Sequence, residues 1–567
     1  MHEIRWREWN DAAFEESRES GKPVILDISA VWCHWCHVMD ETTYSNPTVV
    51  DLINDRFIPI RVDNDRNPDL NSRYNMGGWP STAFLTHNRD VITGATYVPA
   101  DQMKIILERV SSAYNEQGEN LVRKAGVARE SMETKLDELK PGKISIEQVD
   151  AVLEAVKSSY DPQFGGFGFD QKFPFADVID FLLFNYEVTE NKNSLEIATN
   201  TLRAMIDGEM FDRVAGGMFR YATKRDWTVP HYEKMLGDNA SISCVLLDAY
   251  RLTRDQVFLD TALGIFSYLE STLKDTNTGA YFGSQDANEE YYSRDASGRK
   301  ELLLPLIDSA VYTDSNANLA MSYLKLWGET NDASAREKAL GIVDFLNRLP
   351  RAEDGTVGHY FEDASVHQYG ILSDHVCLLF ANILCYEATG RESYLDTAKN
   401  LADVTLHGFK LENGSLSDIT GSHAARRGLN RHSAQLNENA VAAISLIRLG
   451  NITDDSSYRS SAMEILGAFA NIFADYGVLA ANYATAVTLL SIEPVLVTVS
   501  TKEDSSERDD FIQATIHACG YRCSIKSITQ KEDGQPCATV CLGSACRASV
   551  SNPIELSAEL AEVVQSI

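Results

Sequence analysis

Val24-Ile-Leu-Asp-Ile-Ser-Ala30 runs directly into Val31-Trp32-Cys33-His34-Trp35-Cys36-His37. The first seven residues carry no charge except Asp27 and read as a buried strand. Two cysteines three apart, just past such a strand, read as a redox pair opening a helix. The free N–H groups and the dipole of a helix start favour negative charge. Cys33 is therefore expected to have a lowered pKa and to attack disulfides at neutral pH. Cys36, one turn on, is in reach to resolve the mixed disulfide. A protonated His34 adds to that bias. The same letters carry other readings. Cys33 to His37 spells the C-x-x-C-H of haem attachment, the pair can be half a zinc site completed by His34 or His37, or it can be a remnant without turnover. The strand ahead of the pair favours the redox reading.

Gly77-Gly78-Trp79-Pro80 and the short apolar run Ser81-Thr-Ala-Phe-Leu-Thr86 follow. A cis peptide is tolerable only ahead of proline, and it exposes backbone that can pair with an extended substrate. An ordinary turn proline is the plainer reading. The order of the motifs, after the C-x-x-C and at a strand start, predicts a cis-Pro80 beside the cysteines. The neighbouring segments fit around them: a helix over 9–20, another opening at Asn46-Pro47, a strand Ile58-Pro-Ile-Arg-Val-Asp63, a short helix from Asn67-Pro68, a hairpin partner Asp90-Val-Ile-Thr93 and a closing helix from about 101. This β/α order predicts a thioredoxin-like domain over residues 1–118.

The chain of 567 residues is long enough for two to four domains. Lys and Arg number 51 against 82 Asp and Glu, a formal charge of −31 that argues against nucleic acid and anionic membranes as partners. No window reaches transmembrane length, and Met1-His-Glu-Ile-Arg-Trp6 has no apolar signal core. Ten cysteines are then expected to be reduced or catalytic rather than a disulfide framework. The expectation is a soluble, cytoplasmic protein with no cofactor or metal. Its oligomeric state is not readable.

Residues 119–144 read as a charged helical connector. From 145 to 491 the pattern predicts twelve helical segments, near 145–158, 176–189, 194–210, 236–252, 255–273, 315–328, 333–348, 371–388, 391–406, 435–449, 455–473 and 478–491. Their long connections repeat glycine followed by an aromatic: Gly165-Gly166-Phe167, Gly216-Gly217-Met218-Phe219, Gly279-Ala280-Tyr281-Phe282 and Gly358-His359-Tyr360-Phe361. Stacked helical hairpins of this kind make an (α/α)6 toroid or an open solenoid. Long polar-aromatic loops favour the toroid, where they gather at one mouth and line a pocket. Residues 492–567 form a small α/β appendage, with strands near 494–500 and 537–541 and helices near 509–518 and 557–567.

The densest polar loop runs from Arg220 to Asn239 and holds Asp226, Trp227, His231, Tyr232, Glu233, Lys234 and Asp238. Aromatic faces stack on sugar rings while carboxylates and amides bond hydroxyls. The same residues can instead cap helices or fill a core. Gln285-Asp286, Asp314-Ser315-Asn316, Asp374-His375 and Asn437-Glu438-Asn439 enter from other hairpins. Two carboxylates at one mouth can serve glycoside hydrolysis, a histidine such as His231 or His375 can move a proton in an epimerase, and binding without turnover fits as well. The expected site is thus Cys33, Cys36 and Pro80 for the redox chemistry. Ligand binding is assigned to Trp35, Trp79, Phe167, Arg220, Asp226, Trp227, His231, Glu233, Lys234, Asp238, Asn239, Asp286, Asp374 and His375. Protein thiols or disulfides, or a small carbohydrate-like molecule, are the expected partners. Isolated Cys244, Cys377 and Cys385 read as core.

Together these motifs resemble the spermatogenesis-associated protein 20 family and its microbial relatives. The resemblance rests on Trp32-Cys-His-Trp-Cys-His37, Gly78-Trp-Pro80, Asp161-Pro162, Gly165-Gly-Phe-Gly168, Lys172-Phe-Pro174, the Gly216 to Asn239 motif, Ser284-Gln-Asp-Ala287 and the Cys541/Cys546 pair. It implies a thioredoxin-like domain ahead of an (α/α)6 region similar to N-acylglucosamine 2-epimerases and six-hairpin glycosidases. The chain departs from the family at Asn288-Glu-Glu-Tyr-Tyr292 and at Ser315, where relatives commonly carry Trp.

Overall fold

The computed structural model describes residues 3–137, 140–429, 433–502, 505–530 and 534–565. Strand β1 (Val24–Ser29) lies between β2 (Ile58–Asp63), parallel to it, and β3 (Ser81–Leu85), antiparallel to it. β4 (Val91–Ala95) completes the order β2-β1-β3-β4. β1 is apolar on both faces because both are covered. Ile25 and Phe84 pack with Met39 of α2 (His34–Thr42), with Val49, Val50 and Ile53 of α3 (Pro47–Arg56), and with Met103 and Leu107 of α5 (Ala100–Asp137). Val24, Leu26 and Ile28 pack with Phe14 of α1 (Asp11–Ser20), Leu70 of α4 (Pro68–Tyr74), and Ile371 and Ile419 from the helical region. One face of the redox sheet is therefore finished by the rest of the chain. The stretch expected to be a separate connector begins as a continuation of α5, bent at the non-helical Gln117.

Among the described residues, twelve long helices follow, each overlapping a segment expected from the pattern. The outer ones are α6 (Ile146–Ser159), α8 (Lys192–Asp207), α10 (Gln256–Tyr268), α12 (Ala333–Arg348), α14 (Glu392–Gly408) and α16 (Ser456–Gly467). The inner ones are α7 (Ala176–Thr189), α9 (Leu236–Thr253), α11 (Thr313–Thr330), α13 (Leu372–Thr389), α15 (Leu436–Thr453) and α17 (Ala481–Ser491). Each inner helix packs on the next and α17 packs back on α7, so the ring closes into a toroid. Inner helices such as α13 are buried almost all round, whereas α8 buries one stripe (Ile197, Ala198, Thr201, Leu202, Met205), as an outer helix should.

The two ends of the ring are built differently. At one end each of α7, α9, α11, α13 and α15 stops on a single left-handed residue: Glu190, Arg254, Asn331, Gly390 and Asp454. The next residue caps the outgoing helix, and Asn191, Asp255, Asp332 and Asp455 do so through their side chains. At the other end lie the long loops. There an aspartate after each of three outer helices accepts from the backbone two residues on (Asp161 from Gln163, Asp212 from Val214, Asp275 from Asn277). A left-handed glycine four residues on, Gly165, Gly216 or Gly279, then turns the chain inward. Three of the four glycine–aromatic repeats in the sequence are these turns, and the fourth, Gly358-His-Tyr-Phe361, is a strand.

The C-terminal unit contains β5 (Val495–Thr501), α18 (Ser506–Cys519), β6 (Cys523–Thr529), β7 (Cys537–Leu542), β8 (Ala545–Cys546) and α19 (Pro553–Gln565). β6 and β8 were not expected from the sequence. The unit sits on the short-turn end, with Arg448 of α15 bonding the Cys523 carbonyl and Arg508 bonding that of Thr389. No helix among the described residues is long and apolar enough to cross a membrane.

Candidate functional site

Cys33 is the N-cap of α2, and its sulfur accepts from the Cys36 N–H at 3.2 Å. The two cysteines form a disulfide and are 4% and 3% exposed. The peptide between Trp79 and Pro80 is cis, and it leads into β3, the antiparallel neighbour of β1. The junction places the sulfurs at a helix start, where a thiolate is favoured. Below them Asp27 is buried, bonded to Arg61 at 2.7 Å, and burial pushes its pKa up to about 6 against the pull of that guanidinium.

The pair faces the toroid. Ala30, Trp32, Cys33 and Cys36 form one apolar cluster with Trp79 and with Met235, which directly precedes α9. The Arg220 guanidinium lies 4.1 Å from the centre of the Trp32 ring and 5.0 Å from that of Trp79, a cation held over two ring faces next to the disulfide. His37 Nε2 donates to the Val31 carbonyl (2.9 Å) and lies 3.3 Å from Asp286. That bond to Asp286 raises the imidazole pKa above its usual value. Around this contact several buried polar atoms have no partner among the described residues: Trp79 Nε1, Glu233 Oε2, Ser284 Oγ and Gln285 Nε2. Ser284 and Gln285 stand in register with Met235 and Lys234. Unpaired buried groups are uncommon, and a group of them beside a reactive pair is where a bound molecule would be bonded.

Behind this contact is the ring's interior, a cavity of about 440 Å³. Asp177, Asp314 and Glu438 line it from the first turns of α7, α11 and α15, with Asn482 from α17. Asp238 of α9 and Arg220 line an adjoining groove with Phe173, Phe175 and Tyr476. Burial, with Asp418, Asp314 and Asp374 nearby, pushes Glu438 up to about 8. Asp177 and Asp238 are raised for the same first reason. Deeper walls are apolar (Leu183, Val245, Met321, Phe380). Cys244 and Cys377, expected in the core, also line this cavity.

The sequence-read residues divide into two groups. Cys33, Cys36, Pro80, Trp79, Arg220, Asp238, Asp286 and Asp374 lie along the contact and the mouth. His231 stacks on Tyr221 (4.4 Å), which stacks on Phe173 (4.7 Å), and approaches Glu233 at 3.4 Å. Trp35 is 46% exposed beside Tyr97, on the redox domain. The others hold the loops. Phe167 is buried, and Trp227 is buried with its indole N–H on the Phe164 carbonyl. Asp226 bonds Thr228 in its own turn. Lys234 is clamped by Asp212 at 2.7 Å and the Gly216 carbonyl, its pKa lowered to about 8 by burial despite Asp212. Asn239 bridges Met218 to the Met235 carbonyl. His375 accepts from the Val357 N–H inside the core, and burial lowers its pKa to about 3.

Sequence reading missed the latch between domain and ring. His359 places Nδ1 2.9 Å from Asp374 and Nε2 2.7 Å from the Asp65 carbonyl. Both neighbours are acceptors, so both ring nitrogens carry protons. Burial alone would lower its pKa, but the Asp374 carboxylate outweighs that and lifts it to about 9. Arg66 bridges Asp308 (2.8 Å) and Glu362 (2.7 Å), Arg73 meets Asp418 at 2.6 Å, and Arg427 meets Asp69 at 2.6 Å. His359 sits in one of the glycine–aromatic repeats, and that was its only signal.

The family model described as Thioredox_DsbH, protein of unknown function DUF255, matches residues 1–133. Spermatogenesis-associated protein 20 of Rattus norvegicus is 29% identical over 309 residues, 50% of this chain and 39% of the relative. The match thus spans about two fifths of that relative's length. Thiol:disulfide interchange protein DsbD 1 of Pseudomonas aeruginosa is 37% identical over 84 residues, 14% of each chain. Among solved structures, cellobiose 2-epimerase from Spirochaeta thermophila superposes with a TM-score of 0.50 at 17% identity, over 61% of this chain and 95% of that one. This last likeness gives the fold of the ring and nothing further.

Proposed function

We propose that the protein exchanges thiols and disulfides through Cys33 and Cys36 on small substrates held between the redox domain and the toroid mouth. The observation that carries this reading is the packing of the disulfide on Met235, with Arg220 over Trp32 and Trp79. In the reduced protein the Cys33 thiolate attacks one sulfur of a substrate disulfide and the first substrate thiolate leaves. Cys36 then attacks Cys33 Sγ, the second thiolate leaves, and an external dithiol reduces the resulting Cys33–Cys36 bond. Backbone flanking cis-Pro80 offers the docking edge. With both sulfurs almost fully covered, small disulfides should turn over faster than protein disulfides. Ten cysteines, six of them free, suit a reducing compartment, and we place the activity in the cytoplasm.

The test is turnover of a small aromatic disulfide and of insulin by wild type and Cys33→Ser. Loss of the first activity in the variant is expected, and equal rates in the two proteins would refute the proposal. A second reading, a carbohydrate-like ligand bound or converted in the toroid, draws on the cavity with carboxylates at its mouth. Sugars or amino sugars at millimolar concentration should then raise the melting temperature, and Glu438→Gln should abolish the rise. No rise with any sugar would remove this reading.

A further inference from the structure

The C-terminal unit repeats the N-terminal one. Its sheet order is β6-β5-β7-β8, with β5 parallel to β6, antiparallel to β7, and β7 antiparallel to β8. The redox sheet has the same order, β2-β1-β3-β4, and the same directions. A helix follows the first strand and another follows the fourth in both units. Pro536 stands immediately before β7 as Pro80 stands before β3. The cap positions also correspond. Cys33 caps α2 by accepting from the N–H three residues on, and Ser505 caps α18 by accepting from Arg508. Serine thus occupies the nucleophile's place, and the C-x-x-C is absent there.

This unit carries its own cysteine pair elsewhere. Cys541 and Cys546 are direct cross-strand partners in the β7–β8 hairpin and form a disulfide. β8 is the edge strand, three strands from β6, which packs on the ring. Cys541 is 8% exposed and Cys546 is exposed. The cross-link spans a sequence separation of five, between strands whose pairing already aligns them. Closing so short a loop removes less freedom from the unfolded chain than closing a long one, so a staple here contributes at the low end of what disulfides give.

We infer that the C-terminal unit is a second thioredoxin-type module and that Cys541–Cys546 is a second exchange site, open to low-molecular-weight thiols. A thiolate attacks the exposed Cys546 Sγ, the Cys541 thiolate leaves and takes up a proton, and a mixed disulfide forms. A second thiolate attacks the sulfur of the bound small thiol, releasing the Cys546 thiolate and the small disulfide. The pair gains two electrons and two small thiols are oxidised. Cys33 does not serve this site within one chain. The redox domain docks at the N-terminal ends of the inner helices and this unit at their C-terminal ends, and 18-residue helices separate the two by roughly 27 Å.

The experiment equilibrates the whole 567-residue chain with reduced and oxidised glutathione over a wide ratio, traps thiols by alkylation, and weighs the peptide bearing both cysteines. It uses Cys537→Ser as the parent, alone and with Cys33→Ser and Cys36→Ser added. The expected result is one two-electron transition with the same midpoint in both proteins, and a glutathione adduct on Cys546 in Cys541→Ser. A pair that stays oxidised at every ratio until denaturant is added is a structural staple, and that overturns the inference. So does a midpoint ratio that moves more than tenfold when Cys33 and Cys36 are removed. The titration of the parent keeps the test decisive if Cys541→Ser fails to fold.

Discussion

The two ends of the toroid carry sheets of the same order, yet only one presents a C-x-x-C pair to the ring. At the redox end long loops reach out, an imidazolium and several arginines latch the domain down, and buried polar atoms beside the cysteines are left without partners. At the other end one-residue turns keep the helix ends flush, and the C-terminal unit seats on them through Arg448, Arg508 and apolar packing. The same strand order therefore does not decide the role. What decides it is the residue at the junction of first strand and first helix, cysteine against serine, and whether the ring offers loops or flush ends opposite it.

The largest test of that contrast removes one latch from each end. Arg73 and Asp418 are buried together between redox domain and ring, and Arg448 is buried with Glu387 at 2.7 Å at the other end. Arg73→Ala and Arg448→Ala should each cost about 3–5 kcal/mol, because each strands a buried carboxylate. Only Arg73→Ala should also expose the redox pair, raising the alkylation rate of reduced Cys33 at least tenfold at a temperature where both variants remain folded. Equal alkylation in the two would show that the domain does not cover its cysteines by docking on the ring.

A second test uses pH. The folded pKa of His359, about 9, lies above the ordinary value of 6.5. Its contribution is therefore complete below about 6.5 and is lost as pH rises through about 9. The shift corresponds to about 3 kcal/mol at most. Asp374, raised to about 7 by burial with His359 opposing, is ionised over the upper part of that window, so the pair is intact there. Urea denaturation from pH 7 to 10 should show wild type losing stability and His359→Gln, already weaker at pH 7, staying flat over the same range. Parallel curves would remove the imidazolium from the latch.

The parts legible in the sequence are those set by local chemistry. Twelve helices followed from apolar spacing, and the strand, C-x-x-C and Trp-Pro gave the redox junction. The latch did not, since Arg73 and Asp418 are 345 positions apart and nothing near either marks its partner. His375 attracted notice beside Asp374, whereas the histidine that reaches Asp374 is His359, brought there by a strand pairing. β6 was missed because Cys523-Ser-Ile-Lys-Ser-Ile-Thr529 is half polar; what holds it is the ring, where Asn451 donates to the Ser524 hydroxyl and the Ser527 backbone N–H donates to the Tyr386 hydroxyl. Asp226, Trp227 and Lys234 read as ligand-binding residues in the sequence, and in the structure they bond Thr228, the Phe164 carbonyl and Asp212 within the loops.

At the loop end, Gly216 has φ +78° and a Cβ there would lie 2.2 Å from the Gly264 carbonyl oxygen. Gly216→Ala should destabilise by about 2–3 kcal/mol, combining left-handed strain of about 1–2 kcal/mol with the displaced backbone. A loss below 1 kcal/mol in thermal unfolding would mean that the turn relaxes and does not fix where the Gly216–Asn239 loop lands.

The flush end predicts the opposite sign and the smallest effect. Glu190 is exposed and left-handed at φ 55°, its N–H on the Tyr186 carbonyl. Gly390 fills the same place three ring positions away, where a Cβ would come 2.7 Å from Ser527 Cβ of the C-terminal unit. Both turns need the left-handed conformation, but only Gly390 also needs the space. Glu190→Gly should relieve about 1–2 kcal/mol of strain and return about half of that as added freedom of the unfolded chain, for a net gain of about 0.5–1 kcal/mol in urea unfolding. Gly390→Ala should lose more than Glu190→Gly gains, since it adds a clash to the strain. If Glu190→Gly destabilised the protein, the end of α7 would owe its geometry to the glutamate side chain. The uniform one-residue turn would then no longer explain why this end is flush while the other carries loops.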